Sequence, residues 1–131
     1  MSSVIEMVRL FRAADAEELA RSGYSARYLA DVEFRKSIKD AGFIWVTMPA
    51  GTVTTPHAHA ELEEAFIALT TLTMHIEDRT LRLEPGDIVL VEPREEHSFS
   101  ASKNSESRVL AIKFPNLKKD KIESRSSKAT Q

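Results

Sequence analysis

Several features that would narrow the function are missing from this 131-residue chain. It has no cysteine, which excludes disulfides, zinc–thiolate sites, iron–sulfur clusters and cysteine nucleophiles. The longest strictly apolar run, Ala65–Leu69, is far shorter than the roughly 18 residues that span a bilayer. No apolar stretch near the N-terminus is long enough for a signal peptide. The sequence therefore predicts a cytoplasmic protein without a membrane partner.

An excess of charge of either sign is also missing. Lysine and arginine number 18 and aspartate and glutamate 20, which gives a net charge of −2. Because nucleic-acid-binding proteins usually carry a basic surface, we expect no nucleic-acid partner. The hydrophobic and charged fractions, 42% and 29%, are ordinary for a globular protein, and the length predicts a single domain.

Short β-type segments separated by turn residues dominate the sequence from Gly42 onward. Leu72–Ile76 alternates apolar and polar residues with period two, which is typical of a strand with two unlike faces. Further strands are predicted at Phe43–Met48, Glu64–Leu69, Thr80–Leu83, Ile88–Val91, His97–Phe99 and Val109–Phe114. This pattern favours an antiparallel sandwich or barrel, an all-β fold.

The two ends of the chain differ from this central region. Asp15 followed by Glu18 fits a helix capping box, and Gly23 fits the residue after a helix end, so we predict a short helix at Ala16–Ser22. Strands are predicted on either side of it, at residues 7–12 and 26–30. Residues 116–131 are charged and aperiodic, and we expect this tail to be disordered, at least from Ser124.

The residues that suggest chemistry are histidines. His57 and His59 are two positions apart, so on an extended chain both side chains point to one face, close enough to share a metal ion. A turn at residues 60–63 would allow Glu64, which opens the next strand, to point back towards them. His97 follows a later turn and could return to the same pocket. Three imidazoles and one carboxylate form a mixed nitrogen and oxygen ligand set that suits several divalent transition metals.

Each of these residues also has an ordinary explanation. A His-X-His pair can occur by chance, Glu64 could belong to a solvated acidic turn, and His97 could be a simple strand-end residue. The fourth histidine, His75, falls on the polar face of its predicted strand, and we do not expect it to be a ligand.

Taken together, the order and spacing resemble the two motifs of the cupin family. Residues 51–71 resemble the first motif, with Gly51, His57-Ala58-His59 and Glu64 at its spacing. Residues 86–97 resemble the second, with Gly86 and His97 eleven positions apart. Thr71 and Arg94 stand where the motifs have glycines, and the motif proline falls one place late, at Pro93.

The resemblance implies a double-stranded β-helix, the jelly-roll barrel, with a flexible tail and one short N-terminal helix. It divides the chain into residues 1–41, which pack on the barrel, a barrel core at 42–115, and the tail at 116–131. It further implies that one divalent transition metal (Mn, Fe, Ni, Cu, Co or Zn) is bound in the mouth of the barrel by His57, His59, Glu64 and His97.

Alternation along the strands predicts the lining of a substrate pocket. If Glu64 points inward, so do Phe66, Ala68 and Thr70, and Phe99 shares the face of His97. Small side chains beside the two phenylalanines would leave room for a modest organic ligand. Lys113, in an otherwise apolar strand, would either anchor an anion or face water.

The cupin family includes many reactions, so the resemblance alone does not select one. Our first hypothesis is a metal-dependent enzyme, such as an isomerase or epimerase, that acts on a small sugar acid, keto acid or diol by Lewis-acid chemistry. The sequence does not identify a general base. An iron-dependent dioxygenase and a non-catalytic ligand-binding or sensing protein are the two alternatives.

A homodimer is expected as well. Apolar Ile67 and Leu69 have the outward parity of their strand and need covering. Trp45 is expected to pack in the barrel or in the dimer rather than to hold a substrate.

Overall fold

The computed structural model describes residues 8–34 and 37–123. This part of the chain is nearly all β, as predicted, with a single 3-10 turn at Ala13–Asp15. Its strands are β1 (Arg9–Phe11), β2 (Glu18–Arg21), β3 (Tyr24–Arg27), β4 (Gly42–Met48), β5 (His57–His59), β6 (Glu63–Ala68), β7 (Leu72–Ile76), β8 (Arg79–Leu83), β9 (Ile88–Val91), β10 (His97–Ser100), β11 (Ser107–Phe114) and β12 (Lys121–Glu123). No helix in these residues is long and apolar enough to cross a membrane.

The strands form two five-stranded antiparallel sheets and one small hairpin. The first sheet has the order β1-β9-β6-β11-β4, the second has the order β12-β5-β10-β7-β8, and β2 pairs with β3. The hydrophobic core draws on both large sheets, with Phe66 and Val109 from the first and Met74 and Phe99 from the second. This is the predicted jelly-roll architecture, in which the inner faces of two sheets pack on each other.

Buried and partly exposed side chains alternate along β7, as the alternation of apolar and polar residues in its sequence predicts. Leu72, Met74 and Ile76 are buried, whereas Thr73 and His75 between them are partly exposed. Successive side chains of a strand point to opposite faces, so the apolar positions form the core and the polar ones face outward.

Both motif glycines occupy turns that need their conformational freedom. Gly51 has φ +79° and Gly86 has φ +93°, a region that residues with a side chain rarely adopt. The turn at Gly51 precedes β5, which contains His57 and His59, and the turn at Gly86 precedes β9, after which the chain continues to His97. These glycines therefore have a structural role in placing the histidines.

The predicted helix at Ala16–Ser22 is wrong, because this segment forms the first strand of the β2–β3 hairpin. Gly23 does adopt a positive φ of 84°, but in the turn of the hairpin instead of after a helix. Glu18 does not cap a helix; its carboxylate accepts a hydrogen bond from the Ser25 hydroxyl at 2.8 Å across the hairpin. The same residue types suit both structures, and cross-strand pairing decides between them.

The expectation of a disordered tail does not hold for Lys121–Glu123, which forms β12 and pairs with β5. Backbone hydrogen bonding to a strand edge outweighs the high charge of this short segment. Residues from Ser124 onward lie outside the described part of the chain, as does Met7 of the predicted first strand. The division into residues 1–41, 42–115 and 116–131 stays a prediction.

Asp87 ties the N-terminal segment to the barrel. Its buried carboxylate accepts hydrogen bonds from the Ala13 and Glu84 backbone N–H groups at 2.9 and 2.8 Å and from Arg12 Nη1 at 2.6 Å. Burial alone would raise the pKa of Asp87, but these donors outweigh it and hold the pKa below its ordinary value. The ionised carboxylate is thus the form that stabilises the fold.

Replacing Asp87 with asparagine is expected to lower the free energy of unfolding at neutral pH by about 1–3 kcal/mol, the scale of charged hydrogen bonds. Because the folded pKa is depressed, this stability is present above the unfolded pKa and is lost as pH falls through the folded pKa. Urea unfolding between neutral and acid pH should therefore show a flatter acid limb for Asp87→Asn. Asp31→Asn, at an exposed position, is the control. An equal effect of both variants would contradict the stabilising role of the Asp87 carboxylate.

Candidate metal centre

The two histidines of the His-X-His pair lie on β5 and share one face of the second sheet, as predicted. Nδ1 of His57 lies 3.3 Å from the backbone oxygen of Thr55. Since a carbonyl oxygen only accepts hydrogen bonds, this nitrogen carries the proton. Nε2 of the neutral His57 ring therefore keeps its lone pair, the form in which imidazole binds a metal.

His97 lies on the neighbouring strand, where its Cα is paired with that of His57. Its Nδ1 donates to the backbone oxygen of Glu95 at 3.0 Å, which fixes the ring in the same tautomer as His57. The side chain is 1% exposed, and the ring centroids of His57 and His97 are 4.6 Å apart. The loop before His97 thus orients this residue through its backbone.

Glu64 reaches the histidines from the opposite sheet. It is the second residue of β6, and its Oε1 lies 3.1 Å from Nε2 of His59 and 3.7 Å from Nε2 of His97. The carboxylate is buried, with 6% of the side chain exposed. The structure therefore brings together all four residues that the motifs predict as ligands, whereas metal binding by them stays a prediction.

The donor atoms of this cluster fit the requirements of a transition-metal ion. One ring nitrogen from each of His57, His59 and His97 lies within 4.8 Å of the others. Bonds of about 2.1 Å to a shared ion allow a spread of roughly 4.2 Å, so small side-chain movements would be enough. Nε2 of His97 is buried without a hydrogen-bond partner. Such atoms are costly unless something else satisfies them.

The protonation states also suit a cation. Burial, followed by the neighbouring His97, lowers the pKa of His57 to about 4, and the charge of Lys121 contributes. Burial would raise the pKa of Glu64, but its contacts with His59 and His97 outweigh burial and lower the pKa to about 2. At neutral pH His57 is thus neutral and Glu64 is ionised, which is the state required of metal ligands.

At two positions this chain has Arg94 and Thr71 where the motifs have glycine, and the two residues adopt different backbone conformations. Arg94 adopts φ +72° and so takes up the left-handed conformation that the motif glycine would supply. Its backbone N–H donates to the His59 oxygen at 2.6 Å. Thr71 has no positive φ, and its hydroxyl donates to Glu84 at 2.7 Å.

Of the four predicted pocket residues, Phe66 contacts the cluster and Phe99 packs on Phe66. The ring centroid of Phe66 is 5.3 Å from that of His97 and 5.0 Å from that of Phe99. Ala68 is buried in the core further along β6. Thr70 follows the end of β6, where its hydroxyl accepts a hydrogen bond from the Arg108 N–H at 3.0 Å. β6 ends at Ala68, about 13 Å of extended chain beyond Glu64, so Thr70 lies past the end of the strand that is remote from Glu64.

His75 lies away from the cluster, in agreement with the sequence. Its Nε2 is 2.9 Å from the Ser100 hydroxyl and its Nδ1 is 3.3 Å from the Thr80 hydroxyl. Both contacts are with side chains of the second sheet that face away from the core. This histidine is therefore a natural control for the other three.

Sequence reasoning missed the contribution of the C-terminal segment. The Asp120 carboxylate accepts hydrogen bonds from the Glu61 and Leu62 N–H groups at 2.8 and 2.9 Å. It thereby holds the turn that directs Glu64 back towards the histidines. Next to it, Lys121 pairs with His59 on β5. Three residues of alternating character are too short a signal for a strand to be predicted.

A cavity of about 360 Å³ lies close to this site but on another face of β6. Ile38, Glu63, Arg94 and Leu117 are among its lining residues. Glu63 precedes Glu64, and adjacent residues of a strand point to opposite faces. The cavity is therefore separate from the histidine cluster.

Comparison with known families supports the motif assignment. Residues 44–113, more than half of the chain, match the model of a cupin domain. Among curated protein sequences, none matches the chain.

Solved structures share the fold at low sequence identity. A cupin protein from Bacteroides fragilis has a TM-score of 0.55 and 20% identity, over 70% of this chain and 88% of that one. A dTDP sugar isomerase from Desulfovibrio desulfuricans has a TM-score of 0.65 and 10% identity, over 91% and 84%. A salicylate 1,2-dioxygenase from Pseudoaminobacter salicylatoxidans has a TM-score of 0.53 and 17% identity, over 57% of this chain and 20% of that one.

Proposed function

Because the chain belongs to the cupin domain family, we propose that it binds one divalent transition metal through His57, His59, His97 and Glu64. The observation that carries this proposal is the convergence of three ring nitrogens within 4.8 Å beside a buried, ionised carboxylate. The candidate ions are Mn, Fe, Ni, Cu, Co and Zn, because this ligand set accepts all of them and availability decides among them.

We further propose that the protein is an enzyme acting on a small oxygen-rich molecule. A bound metal would supply Lewis acidity to an oxygen of the substrate. The chain itself holds the ligands in place: backbone oxygens of Thr55 and Glu95 fix the rings of His57 and His97. Phe66 and Phe99 are buried and make the inner side of the cluster apolar.

Two structural relatives illustrate the alternatives. One is a dTDP sugar isomerase and another a salicylate 1,2-dioxygenase, and both share only the fold with this chain. Isomerisation of a sugar acid, keto acid or diol is the function we favour. A dioxygenase reaction is the second enzymatic candidate, and ligand binding without turnover is the third.

These candidates are distinguished by one set of incubations. The metal-loaded protein is mixed with sugar acids, keto acids and diols, while nuclear magnetic resonance monitors conversion and an electrode monitors oxygen. Conversion without oxygen uptake supports the proposal, uptake with iron supports the dioxygenase, and a ligand-induced rise in melting temperature without product supports the binding protein. Turnover that survives in His57→Ala would contradict a role for the cluster.

The cytoplasmic location of the protein stays a prediction.

We also propose that two copies of the chain pair through β4. β4 is the last strand of its sheet, and Gly42–Met48 has no charged residue of the kind that protects strand edges from pairing. Phe43 and Trp45 lie on one face and are 70% and 63% exposed. Ile67 and Leu69, on which the sequence expectation was based, are partly buried.

Replacing Trp45 with glutamate is expected to convert a dimer into a monomer, because a charge would be buried at the centre of the pairing strand. Multi-angle light scattering measures the mass of each species. Val53→Glu is the control, since Val53 is 69% exposed but lies outside β4. A monomeric wild-type chain would contradict the proposed pairing.

A further inference from the structure

One lysine lies on the same sheet face as Glu64. In the antiparallel pair of β11 and β6, Lys113 stands directly opposite Glu64, and residues so paired point to the same face. Ser107, Val109 and Ala111 occupy the preceding positions of this face and are buried. Lys113 continues their row at the end of the strand and is only partly buried.

The strand on the other side of this lysine places no charged side chain beside it. There Lys113 is paired with Gly42, and the space that a side chain at Gly42 would fill is occupied by the neutral amide of Asn116. No described side chain forms an ion pair with its ammonium group. Lys113 is thus next to Glu64 in register, and its ammonium group is available to a third group.

A second lysine lies on the other sheet, next to the strand that carries His57 and His59. Lys121 on β12 stands opposite His59 on β5, so its side chain shares the face of the histidines. It is exposed to solvent. The two lysines therefore lie on opposite sheets, one paired in register with Glu64 and the other with His59.

A bound metal and the two lysines would together favour an anion at this centre. Neutral histidines with one carboxylate around a divalent ion leave a net single positive charge, and two ammonium groups increase it. The nearby Glu63 belongs to the other face of β6, where Arg9 lies 3.8 Å from its carboxylate. The metal, Glu64 and the two lysines would thus have a positive sum, which an ionised Glu95 near His97 would lower by one charge.

We propose that the molecule bound at this centre is a small carboxylate, and that Lys113 and Lys121 recognise its negative charge. This inference rests on the proposed metal centre and narrows its substrate class. It favours sugar acids and keto acids over neutral diols. One oxygen of the bound molecule would point towards the metal-binding side chains, while its carboxylate group would point towards the two ammonium groups.

Malonate and its neutral analogue malonamide test this proposal, because they have the same carbon skeleton and differ in charge. The full chain is loaded with Ni(II), and calorimetry measures the Kd of each probe. In Lys113→Gln and Lys121→Gln the Kd for malonate is expected to rise by about twofold to fivefold each, the scale of a partly exposed charge contact. The Kd for malonamide is expected to stay unchanged.

Three controls make the result specific. Lys103→Gln removes an exposed lysine from the turn before β11 and should leave both Kd values unchanged. Lys113→Arg should restore malonate binding if the charge, and not the packing of residue 113, matters. Bound nickel and melting temperature are measured for every variant, so that a loss of metal or of fold is recognised.

Malonate binding that is no weaker in Lys113→Gln and Lys121→Gln than in Lys103→Gln would overturn the inference. So would equal affinity for malonate and malonamide, or lysine-dependent binding of inorganic phosphate that is tighter than that of malonate. These outcomes with nickel bound leave the metal centre intact. Failure to bind nickel would instead overturn the metal centre, and the inference with it.

Discussion

Replacing His97 with alanine is expected to weaken the binding of a divalent transition metal by about 100-fold or more. Outer contacts of a metal ligand are worth about 10–100-fold in affinity, and this change removes a ligand itself. The His97 side chain is the most buried of the cluster, and its Nε2 has no hydrogen-bond partner. Calorimetric titration of the metal-free chain with Ni(II) or Zn(II) measures the loss.

His75→Ala is the matched control for this change. It also removes a histidine from the second sheet, but one that contacts Ser100 and Thr80 instead of the cluster. It should leave metal affinity unchanged. His97→Gln, which keeps most of the side-chain volume, separates loss of a ligand from loss of packing. Equal affinity in His97→Ala and the wild type would show that His97 is not a ligand.

Replacing Phe66 with alanine is expected to lower the free energy of unfolding by about 3–5 kcal/mol, the usual cost of deleting a buried aromatic side chain. Phe66 is 4% exposed and packs against both Phe99 and His97. Its removal leaves a cavity between the two sheets, directly behind the histidine cluster. Denaturation with guanidinium chloride or urea measures the change.

Phe43→Ala is the control, since it makes the same chemical change at a side chain that is 70% exposed. Its effect should stay within about 0.5 kcal/mol, as for most surface substitutions. The comparison is made at a chain concentration where light scattering finds monomers, because Phe43 belongs to the proposed pairing face. Phe66→Ala that costs less than about 1 kcal/mol would show that Phe66 does not pack as described.

The jelly-roll fold and the meeting of the four candidate ligands could both be predicted from sequence. Alternation fixes the shared face of His57 and His59, because the side-chain period of a strand is two. Gly51 and Gly86 mark turns that need a positive φ. The spacing of the two motifs then predicts that Glu64 and His97 lie beside this histidine pair.

The errors come from segments whose structure depends on distant partners. Glu18 and Gly23 suit a helix and a hairpin equally well, and only pairing of β2 with β3 selects the hairpin. Lys121 belongs to a charged tail that becomes a strand because β5 offers it an edge. Thr70 has the parity of Glu64 but lies beyond the end of β6, because parity gives a face and not a distance, and its place in a substrate pocket stays a prediction.

The metal content of the purified full chain tests the central claim most directly. Inductively coupled plasma mass spectrometry is applied before and after reconstitution of the metal-free chain with each of the six candidate ions. We predict about one bound transition-metal ion per chain, as expected for a single three-histidine, one-carboxylate ligand set. A wild-type chain that retains no metal under any of these conditions would contradict the account.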